Sequence, residues 1–291
     1  MEGIRTAMDR ALIAVEQAKA SMDTATKRIS TGKKINAPSD DPARWAASRQ
    51  ARSIDGQLQA VNSGLESVAI SIRGADKAME AIEEHLDQMI ETVKLFPPYP
   101  EGDNSEERIR MLRSFNGIRQ LIDQLTIPPN DDLGQAILSD PATNPEVPDS
   151  WPVIVNEQGD VKTIRRQEVH TGPTGLNIPE RTEADLTENG QAGGPLSQQK
   201  LDDIAANLEN AKAILRQRRD ALGSDAAAIG RAKSSNEEAA AFHKAYAENM
   251  EAADVNEAAA QVTSIQLKQS LALESLGSIT SLRSELVALL K

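Results

Sequence analysis

Apolar residues recur every three or four positions along most of this chain, and the pattern divides it into long helical stretches around one irregular segment. At the start, Ile4, Met8, Leu12, Val15, Ala18, Met22, Ala25 and Ile29 form a narrow stripe with Arg10, Glu16, Lys19 and Lys27 between them. The stripe predicts a helix that ends near Gly32, a residue suited to a left-handed cap. The turn Asn36-Ala37-Pro38-Ser39-Asp40-Asp41-Pro42 follows, with Asn36, Asp40 and Asp41 as its turn and cap residues. Asp41 before Pro42 predicts a new helix start. A carboxylate there accepts orphan amide hydrogens, and proline is tolerated at the first helical position.

The next helix carries the strongest periodic signal. Leu58, Val61, Leu65, Val68, Ile72, Ala75, Met79, Ile82, Leu86, Met89 and Val93 alternate steps of three and four, which predicts coiled-coil packing. Phe96-Pro97-Pro98-Tyr99-Pro100 ends it, because successive prolines remove donors. Ile109, Leu112, Ile118, Leu121, Ile122 and Leu125 give a shorter helix opened by Ser105-Glu106-Glu107. A seam resumes from Leu201 through Leu208, Leu215, Leu222, Ile229 and Tyr246. In the last stretch Val262, Ile265, Ala272, Leu276, Ile279, Leu282, Leu286 and Leu290 continue at helical spacing. An apolar stripe of that length needs a partner.

Between Ile127 and Gln199 the character changes: nine of the fourteen prolines, seven glycines, and twelve acidic against four basic residues. Val153-Ile154-Val155 and Val161-Lys162-Thr163-Ile164 around Asn156–Asp160 predict a small β-hairpin, with no large independent core. The expected fold is mostly α, a long antiparallel helical bundle or coiled coil formed by the N- and C-terminal regions, with a small irregular insert holding the hairpin. Five regions follow: an assembly helix and turn over 1–45, the N-terminal half of the helical core over 46–126, the acidic insert over 127–199, the C-terminal half of the core over 200–250, and a second assembly helix over 251–291.

Composition sharpens this. Aromatic residues make up 2% of the 291, so the core must be aliphatic, as between helices packed side by side. The net charge of -12 repels phosphate backbones and anionic lipid, so neither nucleic acid nor membrane is an expected partner. There is no cysteine, hence no disulfide framework. Glu2, Asp9, Glu16 and Asp23 interrupt the apolar core that a cleavable signal would need at the start.

The candidate chemistry is sparse. Asp40-Asp41 has no histidine or further carboxylate at ligand spacing, and His85, His170 and His243 stand apart, so no metal, cofactor or catalytic role is expected and the chain reads as a non-enzyme. Gly172-Pro173-Thr174-Gly175 lacks the lysine of a phosphate loop and reads as a turn. Arg216-Gln217-Arg218-Arg219 reads as a solvated or intersubunit salt-bridge face. Trp45 and Trp151 read as packing residues.

Three stretches in order resemble the bacterial flagellin family. Thr26-Lys27-Arg28-Ile29-Ser30-Thr31-Gly32-Lys33-Lys34-Ile35-Asn36 with Asp40-Asp41 is similar to its "R-L-S-S-G-L-R-I-N-x-A-x-D-D-A" segment. Gly64 to Ala81 is similar to its "N-D-G-I-S-x-A-Q-T-A-E-G-A-L" helix, and Glu251-Ala252-Ala253-Asp254 to Lys291 to its "I-x-D-A-D-x-A-x-E" stretch through a final "L-L-R". The resemblance implies a filament subunit. Its assembly interface would be Ile4, Met8, Leu12, Val15, Met22, Ile29, Val262, Ile265, Leu276, Ile279, Leu286 and Leu290, and its insert would sit outward without a partner. It further implies a helical homopolymer, secretion through the flagellar type III export apparatus with an export chaperone, cap and junction proteins as partners, and an extracellular place in the flagellum, for motility. Pro38-Ser39-Asp40-Asp41-Pro42 also resembles the hook-filament junction protein, so a junction protein, or a non-filamentous surface homologue binding through its insert, is the alternative. The helix from His85 to Glu91 is similar to the stretch an innate immune receptor reads in many flagellins, but Ile90 stands where that recognition expects Arg.

Overall fold

The computed structural model describes residues 2–96, 105–126 and 136–289, with side chains described for 5–96, 106–126 and 136–285. The proline-rich break after Phe96, the start of the insert at Ile127 and the side chains of Ile4, Leu286 and Leu290 lie outside these. In chain order the elements are α1 (Glu2–Thr31), α2 (Pro42–Lys94), α3 (Ser105–Leu125), β1 (Ser150–Ile154), β2 (Val161–Arg165), α4 (Gln198–Glu251) and α5 (Val255–Leu289), with a 3-10 turn at Glu183–Asp185. Contacts divide the chain into two units, residues 1–56 with 239–291, and residues 57–238.

The 57–238 unit is built on α2 and α4, which run antiparallel. Asp76 pairs with Arg219, Glu83 with Arg216 and Asp87 with Lys212, so numbers rise on α2 as they fall on α4. Between them lies the aliphatic seam, with Leu65, Met79, Ile82, Leu86 and Met89 removed from solvent against Leu201, Leu208, Leu215 and Leu222. Complete burial of a leucine or methionine side chain contributes about 2 kcal/mol, so this seam is the main source of the unit's stability. α3 adds Leu112, Phe115 and Ile122, while Leu121, on the expected stripe, faces solvent. Ile90 is buried in this core, which is the physical reason an arginine does not fit its place here.

The insert differs from the outward, partnerless segment expected of it. Among its described residues Ile137, Leu138, Val153, Ile164, Val169, Leu176, Ile178 and Leu186 enter the same core as the helices. The hairpin pairs Ser150 with Arg165 and Ile154 with Val161, closed by the Val155 N–H donating to the Asp160 carbonyl (2.8 Å). Asn236 of α4 donates to the Val155 carbonyl (2.8 Å) and Lys162 pairs with Asp225, so both strands are tied to α4. A segment rich in proline and glycine has too few apolar residues for its own core, but enough to cap another. His170 organises the turn at 170–175: the Gly172 N–H donates to its Nδ1 (3.0 Å), and a Cβ added at Gly175 would lie 2.1 Å from the His170 carbonyl oxygen. Of the arginine run, Arg216 and Arg219 pair within the chain and Arg218 donates to the Thr174 carbonyl (3.2 Å). Trp45, in the other unit, and Trp151, here, are both half-buried.

In the unit of residues 1–56 and 239–291, α1 packs antiparallel on α5. Only small groups are fully buried along this pair, Ala25 on α1 and Ala258 on α5, with Met8, Val15, Met22, Val262, Ile265, Leu276 and Ile279 half-buried between.

Candidate assembly surface

The pairing of α1 with α5 is set by a polar clasp where both helices begin and end. Gly32, at φ +66°, turns the chain out of α1, and Lys33 forms an antiparallel bridge with Ala252. The Lys34 N–H donates to the Glu251 carbonyl (2.6 Å) and the Ala253 N–H to the Gly32 carbonyl (3.0 Å). α4 stops at Glu251 and α5 restarts at Val255 because Asp254 intervenes: its Oδ1 accepts from the N–H groups of Asn256 (2.9 Å) and Glu257 (3.1 Å).

Glu251 is the centre of the clasp. Its carboxylate is 3% exposed, accepts from Ser48 Oγ (2.6 Å) and from Arg52 Nη2 (2.8 Å) and Nε (3.2 Å), and pairs with Lys33 Nζ (2.7 Å). The Arg52 hydrogen bonds, with Lys33 and Ser48, outweigh the cost of burial and pull its pKa down to about 2. One buried anion thus joins the turn after α1, the first turns of α2 and the end of α4. Such a carboxylate holds the three segments in one register, since moving any of them strands a buried charge.

The second turn is ordered similarly. Asp40 Oδ2 accepts from the N–H groups of Asn36 (2.8 Å) and Ala37 (2.9 Å), and those bonds hold its pKa below the ordinary carboxylate value. Asn36 Nδ2 donates to the Lys33 carbonyl (2.9 Å), and Asp41 Oδ1 accepts from the Arg44 N–H (3.1 Å) at the start of α2.

The stripe residues separate into two groups. Met8, Val15 and Met22 face Val262, Ile265, Leu276 and Ile279 in the α1–α5 seam. Leu12 and Ile29 lie off it, 46% and 36% exposed, because a strict heptad step drifts around a straight helix. Ile13 joins them on the open side of α1, and Leu267, Leu271, Leu273 and Leu282 are exposed on α5. α5 therefore carries exposed leucines among serine, glutamine and charged residues outside the side that α1 covers. Sequence reasoning missed Glu251 and the break after it. Asp254 with Glu257 three residues on has the spacing of a capping box, and that was the available signal.

The chain is thus a long-helix protein whose first and last helices pair without closing a core, and among the described residues no His, Cys, Asp or Glu cluster has metal-site geometry. Residues 6–128 match the family model described as the bacterial flagellin N-terminal helical region, so this part of the chain is similar to the N-terminal region of the bacterial flagellins. The match covers the N-terminal helices; the C-terminal likeness rests on the residues quoted above. No curated protein matches the chain. Flagellins are structural proteins that polymerise into the extracellular flagellar filament. Among the described residues no helix is long and apolar enough to cross a membrane.

Proposed function

We propose that this chain self-assembles through α1 and α5 into a flagellar filament that serves motility. The supporting observation is the exposed apolar surface of α5: Leu267, Leu271, Leu273 and Leu282 are each more than half exposed on a helix whose opposite side already packs on α1. Leucines left open on a helix that already packs on one side call for further cover, and in this reading further copies of the same chain supply it. The mechanism is association: the clasp at Glu251 fixes how α1 and α5 leave the rest of the chain, and burial of the open rows drives polymerisation. In this reading the interface comprises Ile4, Met8, Leu12, Val15, Met22, Ile29, Val262, Ile265, Leu276, Ile279, Leu286 and Leu290. The subunit reaches the filament through the flagellar export apparatus with an export chaperone, between junction and cap proteins. Removal of Asp254 to Lys291 tests the reading: the full chain forms filaments under the electron microscope and the shortened one does not. Filaments from the shortened chain would exclude α5 as the assembly element.

A further inference from the structure

The unit of residues 1–56 and 239–291 carries a second apolar feature, on α2 and α4. Ala47, Gln50, Ala51 and Ile54 of α2 form the floor of a groove of about 250 Å³, and Phe242, His243 and Tyr246 of α4 form its wall. Phe242 is 65% exposed and stacks on Tyr246 at 6.3 Å between ring centroids. In a chain with seven aromatic residues, placing two of them stacked in solvent is a cost without a fold-level return. The Phe242 ring meets those of His243 and Tyr246 on its own helix and is largely solvent-exposed, so its removal leaves no cavity in the core. Exposed aromatics over a small-residue floor have the make-up of an interface hot spot.

The chemistry of the groove selects its occupant. No carboxylate, lysine or arginine lines it, so a charged partner would find no counter-charge there, while Gln50, His243 and the Tyr246 hydroxyl supply the polar groups of a mainly apolar surface. The floor from Ala47 to Ile54 spans about two helical turns, roughly 10 Å, which suits an apolar ridge of residues four apart on a crossing helix. Leu267 and Leu271 of α5 are such a ridge, 62% and 57% exposed and turned away from the α1 seam. Within one chain the groove and the ridge are both open, so they do not cover each other. Between two copies they can. A groove on one copy filled by a ridge of the next is a heterologous contact, which propagates into an open helical polymer instead of closing a dimer.

We infer that the Ala47–Ile54 and Phe242–Tyr246 groove receives the Leu267–Leu271 ridge of α5 from a second copy of this chain. The inference rests on the self-assembly reading and names one contact within it. Because the chain has no cysteine, a pair of introduced thiols reads the contact without background. One population carries Gln50→Cys in the groove and another Ser270→Cys beside the ridge; the two are mixed at rising concentration and oxidised. A disulfide joining Cys-substituted positions 50 and 270 of different copies, found by mass spectrometry, supports the contact, and its absence while wild-type chains form filaments overturns it. In parallel, Phe242→Ala raises the critical concentration for polymerisation about tenfold or more with unchanged helicity of the monomer. An unchanged critical concentration overturns the inference and leaves the self-assembly reading standing. Wild-type chains that never polymerise would instead remove that reading, while the thiol pair still reports whether two copies meet at this groove.

Discussion

The two units use the same raw material, amphipathic helices with few aromatics, to opposite ends. In residues 57–238 the apolar stripe of α2 is met by α4, α3 and the insert, and Leu58, Leu65, Met79, Ile82, Leu86 and Met89 are sealed from water. In residues 1–56 with 239–291 the buried side chains are mostly alanine, and apart from Ile35 at the turn after α1 the large aliphatic residues of α1 and α5 with described side chains remain half-buried or open. The first unit completes its core alone. The second has a register, fixed by Glu251, but an unfinished core, and more of its helical order depends on what covers it.

The largest expected effect separates the two directly. Leu86→Ala leaves a cavity in a closed core and lowers the stability of the 57–238 unit by about 3 kcal/mol, while Ile265→Ala, half-exposed in the monomer, costs about 1 kcal/mol or less. Denaturant melts of the monomer check both. Equal costs would mean that the α1–α5 pair is a closed core in its own right.

Glu251→Gln is next, at about 2 kcal/mol, because it leaves Arg52 and Lys33 beside a neutral group. The folded carboxyl titrates near 2 against an ordinary 4.5, so its stabilisation is complete above about pH 4.5 and is lost as pH falls toward 2. Hydrogen-exchange protection at residues 30–36 and 250–258, taken relative to the intrinsic rate at each pH, is expected to fall over that interval in the wild type, and to vary less with pH in the variant. Identical pH profiles would remove the clasp from the account.

Charge sharpens the comparison further. The unit of the first and last helices holds 14 basic and 13 acidic residues, the other 18 and 31. In the proposed polymer, copies packed side by side would bring the acidic units together, so raising salt from low ionic strength to about 0.15 M is expected to screen that repulsion and lower the critical concentration severalfold. A critical concentration that rises with salt would point to attraction between charged groups as the driving term. The smallest effect is at the α2–α4 ion pairs, where Arg219→Ala costs about 0.5 kcal/mol because the pair with Asp76 is partly solvated.

Most of the helical architecture was legible because it is periodic. The α2 stripe from Leu58 to Val93 lies on the buried face, and Asp41-Pro42 marks where α2 begins. The insert was misread because proline, glycine and acid content describe how the backbone turns, not where Leu176, Ile178 and Leu186 are buried. Glu251 was invisible for a related reason. A glutamate in a run of alanines looks solvated until Ser48 and Arg52, about two hundred residues earlier in the chain, close on it. Nor does periodicity distinguish Leu12 from Val15; only the facing helix shows that one is open and the other half-covered.

The most direct test of the central claim, that the α1–α5 pair is completed by other copies, is amide hydrogen exchange along residues 255–289 in dilute monomer and in polymer. The account predicts rapid exchange of this stretch in the monomer, slow exchange in the polymer, and little change over residues 58–93. Equal protection of 255–289 in both states would show that the last helix needs no neighbour, and would contradict it.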